Sequence, residues 1–416
     1  MYNCQTWDIT IQETFFLYKN MIRWLYWVQC TVRKRKETVM NEEQRLFTLI
    51  GQIEDLDAAA MKAAKERQDY LAKPPGSLGR LEDISIKIAG ITGKPMGNDV
   101  TKQCIAIMSA DNGVVAEGVA SAPQSVTLSQ TINFTRRYTG VSSMAKYYGI
   151  DLLVTDVGVA MEIPKELYTD SMLTEDGKIP VKIVNRRIAD GTGNLAKEAA
   201  MTRAQAVRAM LTGFEAAEAA KKAGVQLFGI GEMGIGNTTT SSALLSALTG
   251  VKAEEVVGRG GGLNDEGLRK KIKIVDDAVN SWCMNDPIEK LSKVGGFDIC
   301  AMVGAFLGAA VHRMPVVIDG FISVVAACYA KELNPKVTDY MFASHKSYEI
   351  GYQIAMDRLG LSPMFDLGMR LGEGSGCPIA FKIIETAVAA MNLMKSLEEA
   401  SIDGDYLEEI RRDNLF

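Results

Sequence analysis

Histidine is nearly missing from this chain. Its 416 residues hold two, His312 and His345, and neither sits in an HExxH or in a cluster with metal-ligand spacing. That argues against a protein-bound zinc and against a Ser-His-Asp site. Cysteine is present but unpatterned: the seven residues (Cys4, Cys30, Cys104, Cys283, Cys300, Cys328, Cys377) form no CxxC and total an odd number. They read as free thiols in a reducing, cytoplasmic setting. A basic stripe is lacking too, and the formal net charge of −5 speaks against nucleic acid as a partner. No period of 20 to 50 residues recurs, so a solenoid is excluded.

Long hydrophobic runs are scarce. The segment TFFLYKNMIRWLYWVQC is broken by Lys19 and Arg23 and followed by the basic run Arg33 to Lys36; it is short for a membrane span and has no signal-cleavage pattern. Residues 1–39, with three of the four tryptophans, do not match the rest. We expect them to be an upstream or disordered extension, with Met40 as the start, and we expect no membrane partner. The stretch VGGFDICAMVGAFLGAAVHRM approaches spanning length, yet Asp298 lies inside it and small residues dominate, which suits a helix buried against a sheet.

What is present is a 47% hydrophobic, 23% charged chain, ordinary for a globular protein with a sizeable core. Apolar strands near residues 105, 153, 227 and 317 alternate with helical patterns, predicting an α/β fold with an open parallel sheet. Residues 40–95 and 379–416 are helical in pattern and are expected to form a smaller lobe around an α/β domain at 96–378. Lys73 and Arg80 in KPPGSLGRLE read as a solvated turn before a helix.

Strand ends carry the polar residues. Cys104 to Ser109 runs into Asp111-Asn112-Gly113, IDLLVTDVGVA puts Asp156 in the same place, and PVVIDG ends at Asp319, where parallel sheets collect ligands. VQLFGIGEMGIGNTTT is a strand, a glycine loop and a helix start, the layout of a backbone anion cradle. It lacks the GK[ST] ending of a Walker A loop, and its glycine order is wrong for a dinucleotide fingerprint. Taken alone it also suits a plain glycine-rich turn. A helix further on carries Lys270 and Lys271, one of which could face inward to a phosphate, although a solvated basic face is the default. The most pointed stretch is MRLGEGSGCP, where Gly372 and Gly374 flank Glu373 and a helix follows. Such a carboxylate could serve as a general base if burial raises its pKa; an ordinary turn with a solvated glutamate is the alternative. His345 reads as a capping or core histidine.

In order and spacing, KPPGSLGRLE, SADNGVVAEGV, GEMGIGNTT, VGGFDI, DGFIS, SHKS and LGEGSG resemble the nicotinate-nucleotide–dimethylbenzimidazole phosphoribosyltransferase family over roughly residues 45 to 400. The resemblance implies a Rossmann-like sheet with a small helical lobe from both chain ends, a homodimer, and no metal or cofactor. It implies transfer of phosphoribose from nicotinate mononucleotide to a benzimidazole, with inversion, giving α-ribazole 5′-phosphate for the cobalamin lower ligand. By the same resemblance Glu373 is the catalytic base and Glu232 a second site carboxylate. Gly234, Gly236, Asn237, Thr238, Lys271 and Asp319 would bind phosphate or ribose, and Pro123, Gln130 and Leu371 the base.

Two departures stand out: Asn112 replaces the histidine of a DHG found in many relatives, removing any acid or cation there. Ala122 replaces a serine, leaving open which base is accepted. Rival readings are the same chemistry on a purine, another benzimidazole or a phenol, and a nucleotide sensor without turnover. Retention of both glutamates argues against the sensor. An NAD-dependent oxidoreductase lacks its fingerprint, and a diphosphate-activated phosphoribosyltransferase its paired-acid phosphate loop.

Overall fold

A computed structural model describes residues 40–404; the expectations for residues 1–39 lie outside them. By its contacts the chain divides into Met1–Arg45 and Leu46–Phe416. In the first unit only residues 40–45 are described, where the helix Glu42–Ile50 begins. All that follows concerns the second.

Its centre is a sheet of seven strands: β1 Gln103–Ala110, β2 Asp151–Gly158, β3 Tyr168–Thr169, β4 Ile183–Asn185, β5 Leu227–Met233, β6 Val316–Ile318 and β7 Met341–Ala343. They pair in the order β3-β4-β2-β1-β5-β6-β7, every pairing parallel. β1 and β5 are buried along their whole length, as a sheet covered by helices on both faces requires. After β1 the chain builds outward through β2, then returns to place β5 on the other side of β1. That reversal opens a crevice at the carboxyl ends of β1 and β5, the position at which such sheets take ligands.

Two helices with small residues cover one face. In Arg203–Lys222 and Phe297–Val311 a Cβ at Gly213 would collide with the Ala301 carbonyl oxygen, and one at Gly304 with that of Met210. The two backbones therefore touch, which explains why the stretch around Asp298 is apolar enough to resemble a membrane span. Among the described residues no helix is long and apolar enough to cross a membrane.

The helix Arg80–Thr92 packs on both Ala58–Tyr70 and Cys377–Leu393. Arg67 ties the latter two together by donating to the carbonyls of Met391 and Met394 at 3.3 and 3.2 Å. Lys73 departs from the solvated turn expected of it: it is buried and its Nζ lies 2.6 Å from Glu82 Oε1. The charge expected in solvent pairs with a buried carboxylate instead.

Candidate active site

The crevice holds a cleft of about 280 Å³ lined by Ala122, Val126, Gln130, Glu232, the Gly234–Thr238 loop, Arg259 to Gly261, Asp319, Arg370, Leu371 and Glu373. It thus brings together nearly all the residues singled out from the sequence.

β5 carries Glu232, paired in register with Met108 of β1, one step before its last residue Met233. Gly231 precedes it because the backbone of the 369–378 loop lies directly on that strand; a Cβ there would collide with the Glu373 carbonyl. Glu373 itself has φ +63°, a left-handed backbone that side chains rarely adopt. The twist turns its carboxylate into the cleft, where Oε1 accepts from Gln130 Nε2 at 3.4 Å and Oε2 from the Val141 amide at 3.2 Å. Val141 is in the first turn of the helix Gly140–Tyr148, so the carboxylate sits on a helix N-terminus. Burial raises the Glu373 pKa; the Val141 bond opposes the shift and the charge of Asp319 adds to it.

Glu232 lies against Glu373. Its Oε1 accepts from the Glu373 amide at 3.3 Å, and its Oε2 accepts from Asn237 Nδ2. Asn237 Nδ2 also reaches Asp298 Oδ2 at 3.1 Å. Asp298 is fully buried in the first turn of Phe297–Val311, a site carboxylate where the sequence marks only a buried helix. Its place just after Gly295-Gly296 was the available signal. Burial first, then the neighbouring Asp298 charge, pushes the Glu232 pKa up to about 8; burial pushes Asp298 up to about 7. One amide nitrogen thus joins two carboxyls that resist being charged together near neutral pH.

At the other end of the cleft, Gly236 takes φ +93° and opens the helix Asn237–Thr249. Ile235, Asn237 and Thr239 spend their amides on Thr127 Oγ1, Gly234 O and Gly236 O. Those of Gly236 and Thr238 have no partner among the described residues and face the anion-favouring end of the helix. Lys271 is inward and fully buried rather than on a solvated face. Its Nζ donates to Thr238 Oγ1 at 2.8 Å and Gly258 O at 3.1 Å, and burial lowers its pKa to about 8, against the pull of Glu349. It stands behind the cradle, not on its wall.

Two further residues depart from expectation. Pro123 is not on the cleft wall, whereas Ala122 and Val126 are; the proline turns the chain into Ser125–Arg136, its carbonyl accepting from Val126 at 3.1 Å. Asp319 touches the cleft, but Oδ2 accepts from the Gly374 amide at 2.9 Å and Oδ1 from the Gly376 amide at 2.7 Å. Each oxygen thus holds one amide of the loop. The Gly376 amide, at the start of the helix Cys377–Leu393, is thereby taken up within the protein. Asn112 is buried beneath the Gly234 loop, its Oδ1 3.5 Å from Thr240 Oγ1.

Residues 53–402 match the sequence profile of a family described as phosphoribosyltransferase. The chain is 52% identical over 366 residues to nicotinate-nucleotide–dimethylbenzimidazole phosphoribosyltransferase of Clostridium perfringens, covering 88% of this chain and 97% of the relative. The chain belongs to that phosphoribosyltransferase family. The same-named protein of Acetivibrio thermocellus is 46% identical over 86% of this chain and 98% of its own length. Among solved structures, the enzyme of that name from Thermus thermophilus superposes with a TM-score of 0.76 at 35% identity, covering 84% of this chain and 99% of its own. The α/β sheet expected from the sequence is therefore the fold of a phosphoribosyltransferase of this family, and the chain is an enzyme of that class.

Proposed function

We propose that the chain transfers the phosphoribosyl group of nicotinate mononucleotide to 5,6-dimethylbenzimidazole, releasing nicotinate and forming α-ribazole 5′-phosphate for the cobalamin lower ligand. The observation that carries this reading is the position of Glu373: buried, held at positive φ, and aimed into a cleft whose far end is a helix N-terminus. The relatives' printed name supplies the substrates.

The nucleotide phosphate fits the Gly236 and Thr238 amides and the Thr238 hydroxyl. Because Lys271 donates to Thr238 Oγ1, the hydroxyl hydrogen is left to point at an acceptor, a phosphate oxygen. Val126, Ala122 and Leu371 offer a flat apolar wall to the base, and Gln130 spans that wall and Glu373. Glu373 takes the N–H proton of the base while its other ring nitrogen attacks C1′. The bond to nicotinate breaks, its electron pair neutralises the pyridinium, and attack from the opposite face inverts β to α. Negative charge on the Glu232–Asp298 pair favours the cationic sugar as that bond loosens. No step requires a metal, because the pyridinium is already an activated leaving group. The reading includes a homodimer acting on these small molecules in the cytoplasm, with no nucleic acid or membrane partner.

The test is nicotinate release from nicotinate mononucleotide, with and without 5,6-dimethylbenzimidazole. Base-dependent release that falls by at least about 100-fold in Glu373→Gln, the scale of a lost general base, is expected. Tight nucleotide binding without turnover on benzimidazoles, adenine or phenol would instead make the chain a sensor. Ala122 on the wall, where a hydroxyl would have narrowed the choice, favours including those other bases in the panel.

A further inference from the structure

Glu373 must be held in a left-handed backbone conformation that is strained for an L-residue and survives only where its surroundings over-determine it. The chain supplies that restraint from one side. The Asp319 carboxylate takes the Gly374 amide on one oxygen and the Gly376 amide on the other, at 2.9 and 2.7 Å, bracketing the loop just beyond Glu373. Bonds from amides to a charged acceptor are about twice as strong as neutral ones.

Behind Asp319 lies His345, wholly buried, with Nδ1 3.7 Å from Asp319 Oδ1 and 3.1 Å from Ser344 Oγ. The Ser344 hydroxyl donates to the Asp319 carbonyl at 3.0 Å. It can therefore only accept from the ring, which places the proton on Nδ1, on the side of the Asp319 carboxylate. His345 is fixed in turn by its own carbonyl, which accepts from the Tyr352 hydroxyl at 2.7 Å. A Cβ on Gly376 would collide with both His345 Nδ1 and Ser344 Oγ, so the ring and hydroxyl form the floor on which the loop rests.

We propose that Asp319 and His345 are positioning residues for Glu373: Asp319 acts on the loop amides rather than on substrate, and His345 orients it through Ser344, whose hydroxyl accepts from Nδ1–H and donates to the Asp319 carbonyl. The proposal rests on the reading of Glu373 as the base. It differs from the ribose- or phosphate-binding role expected of Asp319 and gives the buried histidine a task.

The experiment is steady-state nicotinate release by the full chain with nicotinate mononucleotide and 5,6-dimethylbenzimidazole, in Asp319→Asn, His345→Asn, His345→Leu, Glu373→Gln and Asp319→Asn/Glu373→Gln. In Asp319→Asn, kcat should fall by about 30-fold or more with the KM for nicotinate mononucleotide within about threefold, the signature of a lost transition-state interaction. His345→Asn, whose amide can stand where Nδ1 stood, should keep kcat within about fivefold, while His345→Leu falls with Asp319→Asn. If Asp319 acts through Glu373, the double variant is no slower than Glu373→Gln alone.

A raised KM with kcat preserved in Asp319→Asn would overturn the proposal and make Asp319 a substrate ligand. Equal losses in the two His345 variants would reduce that residue to packing and overturn its part. A double variant slower than Glu373→Gln by the full Asp319 factor would also overturn it. Should Asp319→Asn fail to fold, the His345 pair decides alone. If Glu373→Gln is itself as fast as wild type, the reading of the base falls and the proposal with it, whatever the other variants do.

Discussion

At Glu373 two effects oppose one another. Burial raises the pKa, while the Val141 amide at the start of a helix stabilises the anion, and burial prevails. A general base works in its deprotonated form, so kcat should rise with pH through a value above the ordinary glutamate range of about 4.3. With an acceptor base that does not itself titrate there, the acid limb of a kcat–pH profile measures it directly, and Glu373→Gln should remove both the limb and the rate. An acid limb at or below the ordinary glutamate value would contradict the burial argument. Glu373 was legible in the sequence because glycines flank it, a pattern with little use in a core. Asp298 was not, because the small residues that pack its helix on Arg203–Lys222 disguise a site carboxylate as a polar accident in an apolar run. Asp319 was legible as a site residue only by its place at a strand end; its partners are loop amides 55 and 57 residues away, which no local pattern encodes.

The helix Asp265–Asn280 explains why one of two adjacent lysines matters. Its buried positions are Lys271, Ile274, Val275 and Ala278, an i, i+3, i+4, i+7 stripe with the lysine as first member. The helical period was thus in the sequence, and counting back from the apolar positions would have turned Lys271 inward and left Lys270 exposed. Since Lys271 Nζ holds Thr238 Oγ1 at 2.8 Å, Lys271→Met should raise the KM for nicotinate mononucleotide by about tenfold or more, the scale of about 1.4 kcal/mol for a lost charge-assisted bond, with a smaller effect on kcat. Lys270→Met should do nothing measurable. Thr238→Val should cost a similar amount, and the pair should be less than additive, because the two side chains act on the phosphate as one unit. Full additivity in initial-rate measurements would separate them.

Over the whole molecule, the four long or apolar strands were legible because a parallel sheet buried on both faces needs continuous hydrophobic runs. The added strands β3, β4 and β7 have two or three residues each, too few for any period, and strand order depends on pairings between distant segments. That order gathers Glu232, Asp298, Asp319 and Glu373 at one buried edge, and the cost appears in global stability. Glu232 binds its proton in the folded chain up to about pH 8 but in the unfolded chain only up to about 4.3. Below the lower value both states hold the proton and the burial penalty is absent. Between the two values only the folded state holds it, so stability is lost as pH rises through that window. Replacement by a neutral amide removes this dependence while giving up one hydrogen bond, because the Glu373 and Asn237 donors cannot both be satisfied by one oxygen as well as by two. In urea titrations, the stability of Glu232→Gln relative to wild type should therefore improve from pH 5 to pH 8.5, by about 1–3 kcal/mol. Saturating nicotinate mononucleotide, whose pyridinium supplies the missing positive charge, should shrink that difference by stabilising the ionised wild-type site. Parallel stability curves for the two proteins would mean that the acid cluster is charged throughout, and that some other cation already balances it.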